Sequence, residues 1–574
     1  MKFIWLILAF ALQIATAEKP NILFIAVDDL RPSIGCYGDA VAVTPNIDRL
    51  AKRGVRFDQA YCQVAVCNPS RASLMTGLRP DTLGIWTLPI HFREAKPNAV
   101  TLPQWLRQNG YTAVGHGKIY HNPTPDPQSW SEPIRNAQFE RGYPQGWQAH
   151  IRELQIKLPE SDWRKNNLRG PATAAPNIED HQLVDGARTN LAIKDLRRLG
   201  QGEKPFFLAL GFIRPHLAWI SPKKYWDLYD PKTLPVITDH KVTANTPPYA
   251  LSNSYELTHY MDLINFPKPW DDQRVTDKVA RKLMHGYYAC VSYVDAQIGR
   301  LLKALDDEGL NDNTIIVLWS DHGWKLGEHN GWGKMSNYEI DTRVPLIIVA
   351  PGLRSAGKTT ETPVELLDIF PTLCDLSGIP TPDFAQGKSL LPLLKNPASK
   401  INRVAHSQYY RRHNGAEYMG YAMRSTSHRF VEWRNFGTGN VTARELYDHR
   451  NDHSETVNLI NNVPEKLVQS LSEQLLKTHP RRPLKMVPAV HSNPNRGRQP
   501  APMIIENNTD TEIRIYPITP RGQRSRRPHI VKPDRTEKIA ARIGGVFVIE
   551  SQDGTIHEIH SPSFPSRIIN IKRK

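Results

Sequence analysis

Three short stretches hold residue types that could act together on an anion. Cys67 opens the run Cys67-Asn68-Pro69-Ser70-Arg71-Ala72-Ser73-Leu74-Met75-Thr76-Gly77. A reactive group at a helix start faces free backbone N–H groups and the positive end of the helix dipole, which favour a nearby anion. Pro69 suits a first helical turn, where its missing N–H costs nothing. Arg71 returns one turn later to the same face, where its guanidinium can hold an oxyanion. Asp28 and Asp29 are adjacent after an apolar run, and a second acidic pair stands in Ser320-Asp321-His322-Gly323-Trp324. Adjacent carboxylates repel, and a divalent cation resolves the repulsion. Three carboxylates and one imidazole form an oxygen-rich set, which favours calcium, with magnesium as second choice.

These residues need elements that bring them to one place. Residues 21–27 form a short apolar run rich in branched side chains, the pattern of a parallel strand buried on both faces. Further strands are expected at 111–114, 206–210, 314–319 and 346–349. Helical patterns fall at 47–53, 102–109, 277–305 and 364–376. Strands alternating with helices imply an α/β fold: a mixed, largely parallel sheet with helices on both faces. In such sheets, sites gather at the carboxyl ends of strands, where Asp28-Asp29 and Asp321-His322 both stand. After about residue 400 the pattern becomes antiparallel, with strands at 404–409, 417–424 and 428–433. Leu446-Tyr447-Asp448 then precedes a polar turn, and a helix follows at 463–476. Proline and arginine dominate 479–502, which reads as a linker. Short β-like runs at 503–505, 512–516, 537–541 and 545–550 suggest a small appended β-sandwich, weakly similar to the β domain of the von Hippel–Lindau protein.

The run from Cys67 to Gly77 resembles the signature of the type I sulfatases. The resemblance implies an alkaline phosphatase-like fold. It also implies that Cys67 is oxidised to formylglycine by a formylglycine-generating enzyme during maturation. Its gem-diol hydrate would attack sulfur and add an oxygen ligand at residue 67 to Asp28, Asp29, Asp321 and His322 around the metal. Further positions match the family. Lys118 and His121 lie in Gly117-Lys118-Ile119-Tyr120-His121, with Lys118 neutralising sulfate oxygens and His121 taking the hydrate's proton. His216, in Arg214-Pro215-His216, would bind sulfate or protonate the leaving oxygen. Lys334, in Trp332-Gly333-Lys334, would complete the cationic ring. The catalytic set is therefore Cys67, Arg71, Lys118, His121, His216 and Lys334. The resemblance covers about residues 20–480 and runs closest to the iduronate-2-sulfatase branch. It rests on 63–71, Thr76-Gly77-Leu78-Arg79-Pro80-Asp81-Thr82, Gly117-Lys118 with His121, Pro215-His216, and 320–329 with Lys334 and Ser336-Asn337.

Composition bounds the rest. The chain has 574 residues, 40% hydrophobic and 23% charged, enough for more than one globular domain. Lys2, the apolar run 3–12 and Ala15-Thr16-Ala17 read as an export signal ending at residue 17. No cysteine follows the cleavage site, so a lipoprotein is not suggested, and no integral membrane segment is expected after cleavage. A periplasmic or secreted location follows. Five cysteines are too few for a disulfide scaffold, and their pairing is not readable. The net charge is +16, and residues 481–574 hold 18 Lys and Arg against 8 Asp and Glu, giving +10 of it. A basic exported chain suits acidic glycans, and no nucleic-acid motif accompanies the charge. Arg521, Arg524, Arg526 and Arg527 cluster on one expected loop, a candidate contact for an anionic glycan.

The boundaries expected are a signal at 1–17, a catalytic domain at 18–400, a C-terminal subdomain at 401–480, a linker at 481–502 and a β-sandwich-like domain at 503–574. The expected function is hydrolysis of a sulfate monoester on a carbohydrate, a 2-O-sulfated uronate first. Alternatives are a choline-sulfatase-like or phosphodiesterase activity on the same fold, or a catalytically dead glycan-binding protein.

Overall fold

Alternate residues of the strand Asn21–Asp28 enter two different cores. Ile22, Phe24 and Ala26 pack into one, and Leu23, Ile25 and Val27 into the other. All six are fully buried, which is why the strand reads as an unbroken apolar run. The same alternation holds in Phe206–Pro215 and Thr314–Ser320. Each such side chain contributes about 1.5–3 kcal/mol by leaving water.

The computed structural model describes residues 19–122, 125–237, 242–271, 273–486, 503–518, 527–540, 546–552, 556–560 and 568–572. The expected export signal, most of the expected linker, and Arg521, Arg524 and Arg526 lie outside the described residues. The central sheet has seven strands, ordered Thr359–Thr360, Val55–Phe57, Leu346–Val349, Thr314–Ser320, Asn21–Asp28, Phe206–Pro215 and Thr112–Gly117. The last four run parallel, and Leu346–Val349 is antiparallel to both its neighbours. The sheet is thus mixed and largely parallel, as the sequence implies. Helices Pro45–Arg53, Val184–Gly200 and Asp277–Asp307 cover one face, and Cys67–Thr76, Leu102–Gln108 and Ile369–Leu376 the other. The helix Leu102–Gln108 opens on a Thr101/Gln104 capping box.

One expected element is corrected. Residues 364–376 do not form one helix. Val364–Glu365 pairs in parallel with Ala60–Tyr61, a 3-10 turn follows, and the α-helix begins at Ile369. Strand pairing overrides the helical pattern at that end. The helix Val184–Gly200 and the strand Val441–Asp448 were not expected in full. The latter completes a four-stranded antiparallel sheet with Ala405–His413, Ala416–Arg424 and His428–Asn435. Beyond residue 502, a three-stranded and a four-stranded sheet share a core that includes Met503, Ile505, Ile513, Ile515 and Val531. Among the described residues, no helix is long and apolar enough to cross a membrane.

Candidate active site

Four parallel strands point the same way, so the residues just past their carboxyl ends converge. Asn21–Asp28 delivers Asp28 and Asp29, Thr314–Ser320 delivers Asp321 and His322, Thr112–Gly117 delivers Lys118, and Phe206–Pro215 delivers His216. Asp29 has φ 63°, in the left-handed region that side chains other than glycine seldom adopt. Its N–H donates to Asp321 Oδ1 (3.2 Å), and the Tyr287 hydroxyl donates to its carbonyl (2.8 Å). The helix Cys67–Thr76 brings Cys67 in at its first residue, is buried along its whole length, and ends at Gly77 in the left-handed conformation. The Asn68 amide nitrogen lies 2.7–3.0 Å from the carbonyl oxygens of Thr87, Leu88 and Ile90, which anchors the turn that carries Cys67.

Several of the expected residues gather around the sulfur. Cys67 Sγ lies 3.2 Å from His322 Nε2, 3.5 Å from Lys334 Nζ and 3.7 Å from Lys118 Nζ. Arg71 is fully buried and pairs with Asp321 Oδ2 (2.8 Å) and Asp28 Oδ1 (3.1 Å). Lys118 pairs with Asp28, and Lys334 with Asp29 Oδ1 (2.6 Å). Single ligand atoms of Asp28, Cys67, Asp321 and His322 all lie within 4.8 Å of one another, and so do those of Asp28, Asp29, Cys67 and His216.

The electrostatics follow from burial. Desolvation pushes the Cys67 thiol well up, Asp28 adds to this, and Lys118 and Lys334 oppose it. As encoded, residue 67 is therefore a neutral thiol and a poor nucleophile. Burial alone would raise Asp28, but Lys118, then His216 and Arg71, hold it well below the usual carboxylate range. Asp29 goes the other way, raised by burial despite Lys334. Its Oδ2 has no hydrogen-bond partner. A buried, under-satisfied carboxylate oxygen beside two other carboxylates is what a hard divalent cation fits. Burial, then Lys118, push His121 down to about 3, so its ring is neutral at ordinary pH.

Two residues in this neighbourhood escaped the sequence reading. Glu256 Oε1 is 3.1 Å from His216 Nε2, and its Oε2 is 3.7 Å from Lys334 Nζ. His216 Nδ1 faces the Leu217 carbonyl at 2.7 Å, so both ring nitrogens face acceptors. Asp185, fully buried, accepts the backbone N–H groups of Ile213 (2.8 Å) and Arg214 (2.9 Å), which fixes the approach to His216. Neither lies in a recognisable run. All five cysteines are free, so no disulfide competes for Cys67.

The mixed, largely parallel sheet, with helices on both faces and charged groups at its strand ends, gives the chain an alkaline phosphatase-like fold. The Sulfatase family matches residues 20–379, and a second family, N-sulphoglucosamine sulphohydrolase, C-terminal, matches 327–481. The chain belongs to the sulfatase family and is a sulfuric ester hydrolase. It is 33% identical over 520 residues to the iduronate 2-sulfatase of Homo sapiens, spanning 78% of this chain and 92% of that protein. It is 34% identical over 480 residues to a sulfatase of Formosa agariphila, spanning 80% and 87%. In fold it is similar to a protein solved in complex with its substrate D-glucosamine-2-N,6-O-disulfate, with TM-score 0.61, 23% identity, 81% of this chain and 99% of that one.

Proposed function

We propose that the chain is an exported, periplasmic or secreted sulfatase that hydrolyses a sulfate monoester on a carbohydrate, with a 2-O-sulfated uronate first among its substrates. The observation that carries the reading is one sulfur within 3.7 Å of Lys118, Lys334 and His322, with Arg71 buried and paired to Asp28 and Asp321. The likeness to an iduronate 2-sulfatase over 92% of that protein supports the sugar class.

Residue 67 is matured to formylglycine by a formylglycine-generating enzyme and hydrates to a gem-diol. Asp28, Asp29, Asp321 and His322, with residue 67 beside them, would hold a divalent cation, calcium first and magnesium second. Bound there, it would supply Lewis acidity toward the sulfate and the diol. Lys118, Lys334 and Arg71 neutralise the anion and hold it against residue 67. One diol hydroxyl loses its proton to solvent as its oxygen bonds to sulfur, the ester S–O bond breaks, and the alcohol leaves with a proton from His216, with Lys334 beside it. The second hydroxyl gives its proton to His121, the C–O bond to sulfate breaks, and the aldehyde returns. Water restores the diol.

The mass of the peptide holding residue 67 is expected about 18 Da below that of the thiol form. Chelation is expected to abolish turnover, and added calcium to restore it. Assays with a 2-sulfated uronate, choline sulfate and a phosphate diester separate the readings. Turnover of the sugar sulfate alone supports the proposal. Preference for either other ester, or glycan affinity with no sulfate release from fully converted protein, overturns it.

A further inference from the structure

An aromatic and basic surface adjoins the catalytic groups and has no part in the chemistry described. Tyr255 immediately precedes Glu256, whose carboxylate contacts both His216 and Lys334. The Tyr255 ring lies 5.6 Å from that of His259, and the His259 ring 4.3 Å from that of Trp163. Trp163 is 48% exposed and Tyr255 36% exposed, large apolar rings left facing solvent. Arg169 is exposed too, and its backbone N–H donates to the His259 carbonyl at 2.8 Å. Its guanidinium sits over the Tyr260 ring, 5.8 Å from the centroid. The backbones are tied again by Met261 N–H to the Arg169 carbonyl (3.3 Å) and by the Arg164 guanidinium to the Ile264 carbonyl (2.6 Å). Two chain segments remote in sequence are therefore stitched into one rim, continuous with the group that touches Lys334.

Exposed rings at a site mouth suit the apolar face of a pyranose, and an adjacent guanidinium suits a carboxylate or sulfate by a two-point contact. We propose that Trp163, His259, Tyr255 and Arg169 form a second sugar subsite, which binds the ring next to the sulfated one and pairs Arg169 with an anionic substituent on it. This rests on the carbohydrate reading above. It makes the substrate a sulfated di- or oligosaccharide, in preference to the free sulfated monosaccharide. The groups at the sulfur recognise the ester, and the rim recognises its neighbour.

The test uses the full-length enzyme with its formylglycine content measured, and the variants Trp163→Ala, Trp163→Phe and Arg169→Gln. Each is assayed on a sulfated monosaccharide and on two disaccharides, one with a carboxylate and one with a sulfate on the adjoining ring. The wild type is expected to favour a disaccharide over the monosaccharide by about tenfold or more in kcat/KM, through KM. Trp163→Ala and Arg169→Gln should bring that ratio close to one, and Trp163→Phe should retain most of it. The disaccharide whose advantage Arg169→Gln removes identifies the anion. A disaccharide advantage that survives both substitutions, or no advantage in a wild type that hydrolyses the monosaccharide, overturns the subsite alone. A wild type that hydrolyses no sugar sulfate but cleaves an aryl sulfate overturns the carbohydrate reading, and the subsite with it.

Discussion

At the scale of single residues, the site balances buried charges in pairs. Lys118 is held by Asp28, Lys334 by Asp29, and Arg71 by Asp28 and Asp321. Glu256, like Asp28, is a shared carboxylate, standing between His216 and Lys334. Burial alone would raise it, but Lys334 and then His216 hold it well below its usual value, so it stays charged. Glu256→Gln keeps the shape and removes the charge. It is expected to lower kcat about 10–100-fold with a smaller change in KM, read by steady-state kinetics on a sulfated sugar. Equal kcat in variant and wild type would show that His216 and Lys334 need no shared counter-charge. The residues around Cys67 were legible because each stands in a short run with its own chemistry, such as Asp28-Asp29 or Asp321-His322-Gly323. Glu256 was not legible, since it sits in an irregular loop and meets His216 only through the fold.

Among the elements, the parallel strands do the positioning. Their apolar runs were readable because burial on both faces leaves no polar alternation, and Leu346–Val349 was found at its observed bounds. The helix Val184–Gly200 was harder to see, because its buried face includes Asp185, Gly186, Thr189 and Asp195. Its polar residues serve the site: Asp185 accepts two backbone N–H groups just before His216. Asp185→Ala leaves both donors unsatisfied, which should cost about 1–3 kcal/mol for each. The variant is expected to unfold at lower denaturant and to lose turnover beyond what its folded fraction explains. Normal kcat in the folded variant would detach Asp185 from His216.

Over the whole molecule, the antiparallel sheet after residue 404 is joined to the catalytic part by buried ion pairs. Arg429 and, at 3.0 Å, Arg424 pair with Glu339 across that join, while Glu455, on the same side as Arg429, meets it at 2.6 Å and lies 2.9 Å from His449 Nε2. Glu339, His449 and Glu455 cluster like metal ligands, but the arginines already supply the positive charge. Buried histidines set the response to acid. Burial lowers His91, His116 and His406 to about 4 and His121 to about 3 from 6.5. Below about pH 6.5 the unfolded chain binds protons that the folded one refuses, so these groups favour folding fully only above that pH. The melting temperature should hold above pH 7 and fall as the pH drops from 6.5 towards 4. A flat profile across that window would contradict the assignment. The basic tail makes a separate prediction. A chain ending at residue 486 should elute from a sulfated-glycan column at lower salt than the full chain, with small-ester turnover preserved. Coincident elution would remove the tail from glycan contact.

The seclusion of Cys67 sets a timetable for biosynthesis. Only 2% of that residue reaches solvent once the chain has closed around it. On the proposed maturation, the oxidising enzyme would have to meet this thiol on the open polypeptide, before the helix Cys67–Thr76 docks. A molecule that folds ahead of that encounter keeps its sulfur, and no later visit repairs it.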